Sequence, residues 1–93
     1  MIIKARRQFK EDYKKLIESR KNTVAFRKAF NKAIFLLETN NQDFSESFTT
    51  NRLLKRGQGW YDCYIYDNII MVYKIEGQYV KLIRLGTPKE LER

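Results

Sequence analysis

The chain contains no histidine and a single cysteine, Cys63, among its 93 residues. Cys63 has no thiol to pair with inside the chain, and one thiolate without imidazole partners excludes a Cys/His metal site. Reducing, cytoplasmic surroundings fit that usage. Long apolar runs are missing as well. The longest, Ala33–Leu37 and Ile69–Tyr73, fall far short of the ~20 residues of a membrane helix, and residues 1–7 hold no apolar leader segment. A cytoplasmic protein without a membrane partner is expected. Glycine and proline are scarce, at four residues and one. No Walker loop, dinucleotide fingerprint, zincin helix or nucleophile elbow occurs, so neither a cofactor nor a metal is expected.

What the chain has in excess is positive charge. Nineteen basic against 11 acidic side chains give a net charge of +8. Residues 1–39 carry 11 of the basic and four of the acidic ones. A basic balance favours a polyanionic partner such as RNA, DNA or an acidic protein, and it also keeps a small domain soluble. The length fits one domain spanning 1–93, and 43% hydrophobic residues supply one core.

Periodicity divides the chain in two. Ile2-Ile3 reads as a short first strand. Phe9, Tyr13, Leu16 and Ile17 recur at helical spacing and predict a helix over Arg7–Ser19. Asn22 or Thr23 caps a second helix carrying Phe26, Ala29, Phe30, Ala33, Ile34 and Leu37. The connection is short, so the two form an antiparallel hairpin. Thr39–Asn51 is polar and reads as a loop pinned by Phe44 and Phe48. Beyond it, Trp60–Tyr66, Ile69–Ile75 and Tyr79–Leu85 are rich in Tyr, Ile and Val and are separated by turn residues. They predict an antiparallel meander, with Arg52–Arg56 as a fourth strand. Helices followed by strands imply an α+β fold, the hairpin packed on one face of an antiparallel sheet.

Alternation puts Trp60, Asp62, Tyr64 and Tyr66 on one face of their strand. It puts Val80 and Leu82 with Arg84 on one face of the last strand. Asp62 and Tyr64 set a carboxylate and a phenol side by side, suited to proton transfer or to an ordinary cross-strand pair. Arg84 suits a phosphate, with a salt bridge to Asp62 or Glu90 as its structural alternative. Arg52, Lys55 and Arg56 beside Trp60 suit a nucleic-acid strand, because cations track phosphates and aromatic faces stack bases. They equally suit a charge-protected sheet edge. The lysines of the two helices read first as a solvated face, and Cys63 as a small core residue.

These segments together resemble the RelE/YafQ toxin superfamily. The resemblance is carried by Gln8 to Leu16, by Leu53-Leu54-Lys55-Arg56-Gly57 leading to Asp62-Cys63-Tyr64, and by Ile70 to Lys74. It is carried above all by Leu82-Ile83-Arg84-Leu85-Gly86-Thr87 followed by Glu90-Leu91, which is similar to the YafQ-type ending. It implies a helical hairpin on a curved antiparallel sheet. It further implies a toxin that enters the ribosome and cuts mRNA without a metal, through attack of a 2′-hydroxyl on the adjacent phosphate, and a cognate antitoxin that silences it. Arg84 matches the transition-state arginine, Asp62 an acidic position, and Tyr64 stands where YafQ-type members have histidine. Pro88 replaces a histidine or arginine, and Glu92 falls near an aromatic position.

By the same resemblance the catalytic candidates are Arg84, Tyr64, Asp62 and Lys89, with Glu90 and Lys74 as other bases. Arg52, Lys55, Arg56, Lys74 and Lys81 are the RNA-binding candidates. RelE itself works with Lys, Arg and Tyr and no catalytic histidine. The missing histidines leave two alternatives open: a ParE-like inhibitor of DNA gyrase, and a degenerate toxin that serves as an antitoxin-binding module.

Overall fold

The computed structural model describes residues 1–40 and 43–92. Strand β1 (Ile2–Ala5) leads into helix α1 (Arg7–Ser19), followed by α2 (Val24–Glu38) and a short α3 (Asp43–Ser47). Then come β2 (Thr49–Arg52), a 3-10 turn (Leu54–Arg56), β3 (Trp60–Tyr66), β4 (Ile69–Glu76) and β5 (Tyr79–Gly86). The α+β class is the one the periodicity predicts.

The helices form where apolar residues return every turn. Phe9 and Leu16 of α1 and Phe26, Ala33, Leu36 and Leu37 of α2 are buried. Asn22 Oδ1 accepts from the Val24 N–H at 3.1 Å, closing one of the free donors at the start of α2. Phe9, Tyr13, Phe26 and Phe30 interlock between the helices, the nearest pair, Tyr13 and Phe30, with ring centroids 4.9 Å apart. Full burial of one such ring contributes about 1.5–3 kcal/mol.

The five strands form one sheet in the order β1-β5-β4-β3-β2. The β3–β4–β5 meander is antiparallel, and β2 adds antiparallel to β3. Strand β1 pairs parallel with β5, Ile2 opposite Tyr79 and Ala5 opposite Leu82, so the sheet is mixed rather than purely antiparallel. Alternation marks a strand but not the direction in which it joins an edge.

Two further expectations are corrected. The segment read as a loop over Thr39–Asn51 holds α3 and most of β2, with residues 41 and 42 outside the described ones. Phe44 and Phe48 do bury, their centroids 5.3 Å apart, and this buried pair gives the polar segment something to fold against. The fourth strand runs over Thr49–Arg52 instead of Arg52–Arg56. It stops because the chain turns at Leu54–Arg56, where Gly57 adopts φ 97° and donates its N–H to Leu54 O.

The helices cover one face of the sheet, which presents Cys63, Ile65, Met71, Tyr73, Val80, Leu82 and Leu85 to the main core. On the opposite face Ile70, Val72 and Ile83 form a second, smaller cluster, against which the hydrophobic side chains of Leu53, Trp60 and Leu91 pack.

Candidate functional site on the open sheet face

Strand register arranges the open face in rows. Trp60, Lys74 and Lys81 lie opposite one another across β3, β4 and β5. Asn51, Asp62, Val72 and Arg84 form the next row, and Thr49, Tyr64, Ile70 and Gly86 the third. Neighbouring strands are about 4.8 Å apart, so Asp62 and Arg84, with Val72 between them, sit about 10 Å apart at the backbone. They do not form the salt bridge that the sequence offers as an alternative.

Arg84 pairs instead with Asp12 of α1. The register slips between Val72 and Tyr73, where Ile83 is the extra residue of a β-bulge. Leu85 rather than Arg84 therefore joins Val80 and Leu82 on the helix face, which corrects the simple alternation read from the sequence. Strand β1 ends opposite Leu82, so the Leu85 N–H has no strand to bond on that side. Asp12 Oδ2 accepts from it at 3.0 Å and also from Arg84 Nε at 2.8 Å, and Asp12 Oδ1 lies 3.4 Å from Arg84 Nη2. Gln8 Nε2 donates to the same carboxylate at 3.0 Å.

Burial acts to raise the Asp12 pKa, but the hydrogen bonds from Arg84, Leu85 and Gln8 outweigh it and hold the group below 3.8. The bond to Asp12 in turn raises Arg84. The guanidinium uses its Nε edge on Asp12, keeps donors for another oxygen, and is 39% exposed. It borders a cleft of about 340 Å³ shared with Gln8, Glu11, Asp12, Lys15 and Glu90.

The segment after β5 closes this cleft. The Thr87 N–H donates to Glu90 Oε1 at 2.9 Å and the Glu90 N–H to Thr87 Oγ1 at 3.2 Å, a reciprocal capping box with Pro88 at the position where a missing N–H costs nothing. The bond from the Thr87 backbone lowers the Glu90 pKa, so Glu90 is a poorer base than an ordinary glutamate. Glu90 and Leu91 sit against Gly86, where a Cβ would lie 3.3 Å from Glu90.

Of the other sequence candidates, Asp62 is 6% exposed and accepts from Asn51 Nδ2 at 3.3 Å. Tyr64 is 41% exposed in the adjacent row, and Lys89 is exposed on the capping-box turn. Lys74 and Lys81 are each 2.9 Å from Glu76, and their two bonds draw that carboxyl down to about 2. Lys55 and Arg56 are exposed on the 3-10 turn, and Arg52 is exposed at the end of β2, where register sets it opposite Tyr61 on the helix side of the sheet rather than on the open face. Cys63 is fully buried, and burial, then the nearby Asp62, pushes its thiol up to about 12, away from thiolate chemistry.

The fold thus brings Asp62, Tyr64, Arg84, Lys74 and Lys81 onto one face. Arg56 reaches it over the Trp60 ring, Lys55 stands on the same 3-10 turn, Lys89 stands on the turn after β5, and Arg52 falls on the other side of the sheet. Sequence reading missed Asp12. Its signal was the helical spacing Phe9-Asp12-Tyr13-Leu16, which sets a carboxylate within an apolar stripe. Among the described residues no group of three or more His, Cys, Asp or Glu is placed to hold a metal ion.

Residues 1–93 match the family described as bacterial toxin of type II toxin-antitoxin system, YafQ. A comparison with curated proteins gave no match. The fold is similar to a chain in the E. coli DinJ-YafQ complex, with a TM-score of 0.81 and 21% identity over 96% of this chain and 94% of that one. YafQ from E. coli strain BL21(DE3) gives a TM-score of 0.79 at 21% identity, covering 96% and 94%. A metal-bound toxin from Helicobacter pylori gives 0.81 at 22% identity, covering 98% of each chain. With a family match along the whole sequence, the chain belongs to the YafQ family of toxins from bacterial type II toxin–antitoxin systems.

Proposed function

We propose that this toxin is an endoribonuclease that cleaves mRNA on the ribosome and so stops translation in the cytoplasm. One observation carries the reading: Arg84 is held side-on by Asp12 while 39% of its side chain stays exposed, beside the cleft it shares with α1 and Glu90. In the proposed step a 2′-hydroxyl loses its proton and attacks the adjacent phosphorus, and the bond to the 5′-oxygen breaks. A 2′,3′-cyclic phosphate and a 5′-hydroxyl result. Negative charge grows on the phosphate oxygens in the transition state, and a fixed guanidinium favours that state over the ground state. No metal takes part in the proposed step.

Tyr64, exposed in the neighbouring row, handles the proton, and Lys89 stands ready on the turn for the leaving oxygen. Asp62, low in exposure and bonded to Asn51, orients its neighbours. Lys74, Lys81, Arg52, Lys55 and Arg56 contact the phosphates of mRNA or ribosomal RNA. The partner that silences the toxin is a cognate antitoxin, as in the DinJ-YafQ complex. The test is induced expression in bacteria with primer-extension mapping of a reporter mRNA. Cuts within translated codons are expected from the wild type and none from Arg84→Ala. Full toxicity in that variant sinks the assignment.

A second reading keeps the antitoxin and drops the nuclease. Leu53, Trp60 and Leu91 already pack over part of the open face, and the chain has no histidine. These features favour a ParE-like gyrase inhibitor or a silent antitoxin-binding module. Inhibition of supercoiling by purified gyrase, with no mRNA cuts, supports the former. A folded chain that neither arrests growth nor cuts RNA supports the latter.

A further inference from the structure

Trp60 is the one tryptophan of the chain and opens β3 on the open face. It packs with Leu53 and Leu91 against Ile70, Val72 and Ile83. Two cations also gather over its indole, Arg56 Cζ at 5.2 Å and Lys74 Nζ at 5.4 Å from the ring centroid. The backbone around it is fixed on both sides. The Leu53 N–H donates to Trp60 O at 2.9 Å and the Ile75 N–H to Gly59 O at 2.8 Å. Gly59 takes φ 82°, and a Cβ there would run into the Ile75 carbonyl. Two residues before Arg56, the 3-10 turn lifts Leu54 to 76% exposure, in a cleft it shares with Arg52, Lys55 and Arg56. Packing on Ile70 and Val72 explains a half-buried tryptophan. Strand register sets Lys74 opposite Trp60, but neither register nor packing brings Arg56 onto the ring or leaves Leu54 open among three basic side chains.

We propose that Trp60 is a stacking platform for an unpaired base of single-stranded RNA, with Leu54 bordering that base and with Arg56 and Lys74 moving from the ring to the flanking phosphates. The proposal rests on the RNA reading above and deepens it by placing the strand. A base stacked on an aromatic ring contributes more than an exposed cation over the same ring, so the exchange is favourable. The released cations then meet phosphates, the partners they bind best. From this platform the row holding Arg84 lies about 7 Å along and about 10 Å across the sheet. A short single strand therefore contacts both. Stacking tolerates any base, so the platform holds the strand without reading its sequence.

Trp60 is its own reporter. The experiment titrates the intact toxin with a short 2′-O-methyl RNA, which has no free 2′-hydroxyl and cannot be cut, and follows tryptophan emission. A labelled copy of the same RNA gives affinities for variants by anisotropy. Saturable quenching is expected in the wild type. Trp60→Leu, which keeps an apolar side chain in the cluster but has no π-face, is expected to lose roughly 5- to 150-fold in affinity. Trp60→Phe should keep most of it, and Arg56→Ala should reduce the salt dependence by about one phosphate contact. Emission unchanged by RNA, or equal affinities for the Leu and Phe variants with both folded by circular dichroism, overturns the proposal. Because the probe cannot be cleaved, the two readings fail separately. Binding at Trp60 without cleavage of natural mRNA sinks the nuclease and leaves the platform. Cleavage with an unperturbed Trp60 does the reverse.

Discussion

On the helix face of the sheet, Cys63, Met71 and Val80 are completely buried and Phe26 is 1% exposed above them. On the opposite face Ile70, Val72 and Ile83 are covered by Leu53, Trp60 and Leu91, and Lys74, Lys81 and Tyr64 lie in the rows around them. The same three strands supply both surfaces. One carries the layered packing from which most of a small domain's stability comes. The other holds just enough apolar contact to fix its strands while leaving cations and a phenol open to a ligand. Stability and site chemistry are therefore separated across the thickness of one sheet, and substitutions should separate them too.

The largest effect is expected on the helix side. Phe26→Ala should cost about 3–5 kcal/mol by chemical denaturation, against a total stability of about 5–15 kcal/mol. A cost near that of an ordinary surface substitution would show that the helix layer is not the main core. Asp12→Ala should come next, because it crosses the divide. It leaves the Leu85 N–H without its acceptor and Arg84 without its anchor, so a loss of about 1–3 kcal/mol is expected together with loss of any Arg84-dependent activity.

Asp12 also gives the comparison a pH axis. Its folded pKa lies below the ordinary 3.8, so its contribution is complete above that value and disappears as pH falls through the lower, folded one. Asp12→Asn should flatten that part of the acid-denaturation curve and leave the neutral region flat. An unchanged acid limb would mean that other carboxylates govern it. Leu91→Ala, on the open face, should cost only about 1 kcal/mol in thermal unfolding, since one half-buried side chain is trimmed over a small cluster. The smallest stability effect is expected for Glu76→Gln, which removes an exposed partner of Lys74 and Lys81. It should tighten RNA binding at low salt, the difference fading as salt rises. Weaker binding would mean that Glu76 is needed to hold the two lysines in place.

Much of this plan can be read from the residues. Helical spacing located Phe9, Leu16, Phe26 and Leu37, and strand alternation located the meander. What escaped depends on long-range geometry. Alternation assigned Arg84 to the face of Val80 and Leu82, because a bulge at Ile83 leaves no local mark in a run of apolar residues. The partner of Arg84 was sought among the nearby Asp62 and Glu90, while it lies 72 residues away at Asp12. The polar stretch before β3 concealed a strand because its β-character comes from pairing, with Thr49 opposite Tyr64 and Asn51 opposite Asp62, rather than from its own composition.

The parallel pairing of β1 with β5 has a consequence for synthesis. Strand β1 leaves the ribosome well before its partner β5, and Asp12 waits through 72 residues for Arg84. Contacts this distant in sequence form late, because a long loop must close before they are rewarded. A half-made chain can collapse its helices but cannot anchor the guanidinium. The Asp12–Arg84 pair is thus absent while the message is being read, and it completes itself only after β5 is free to fold.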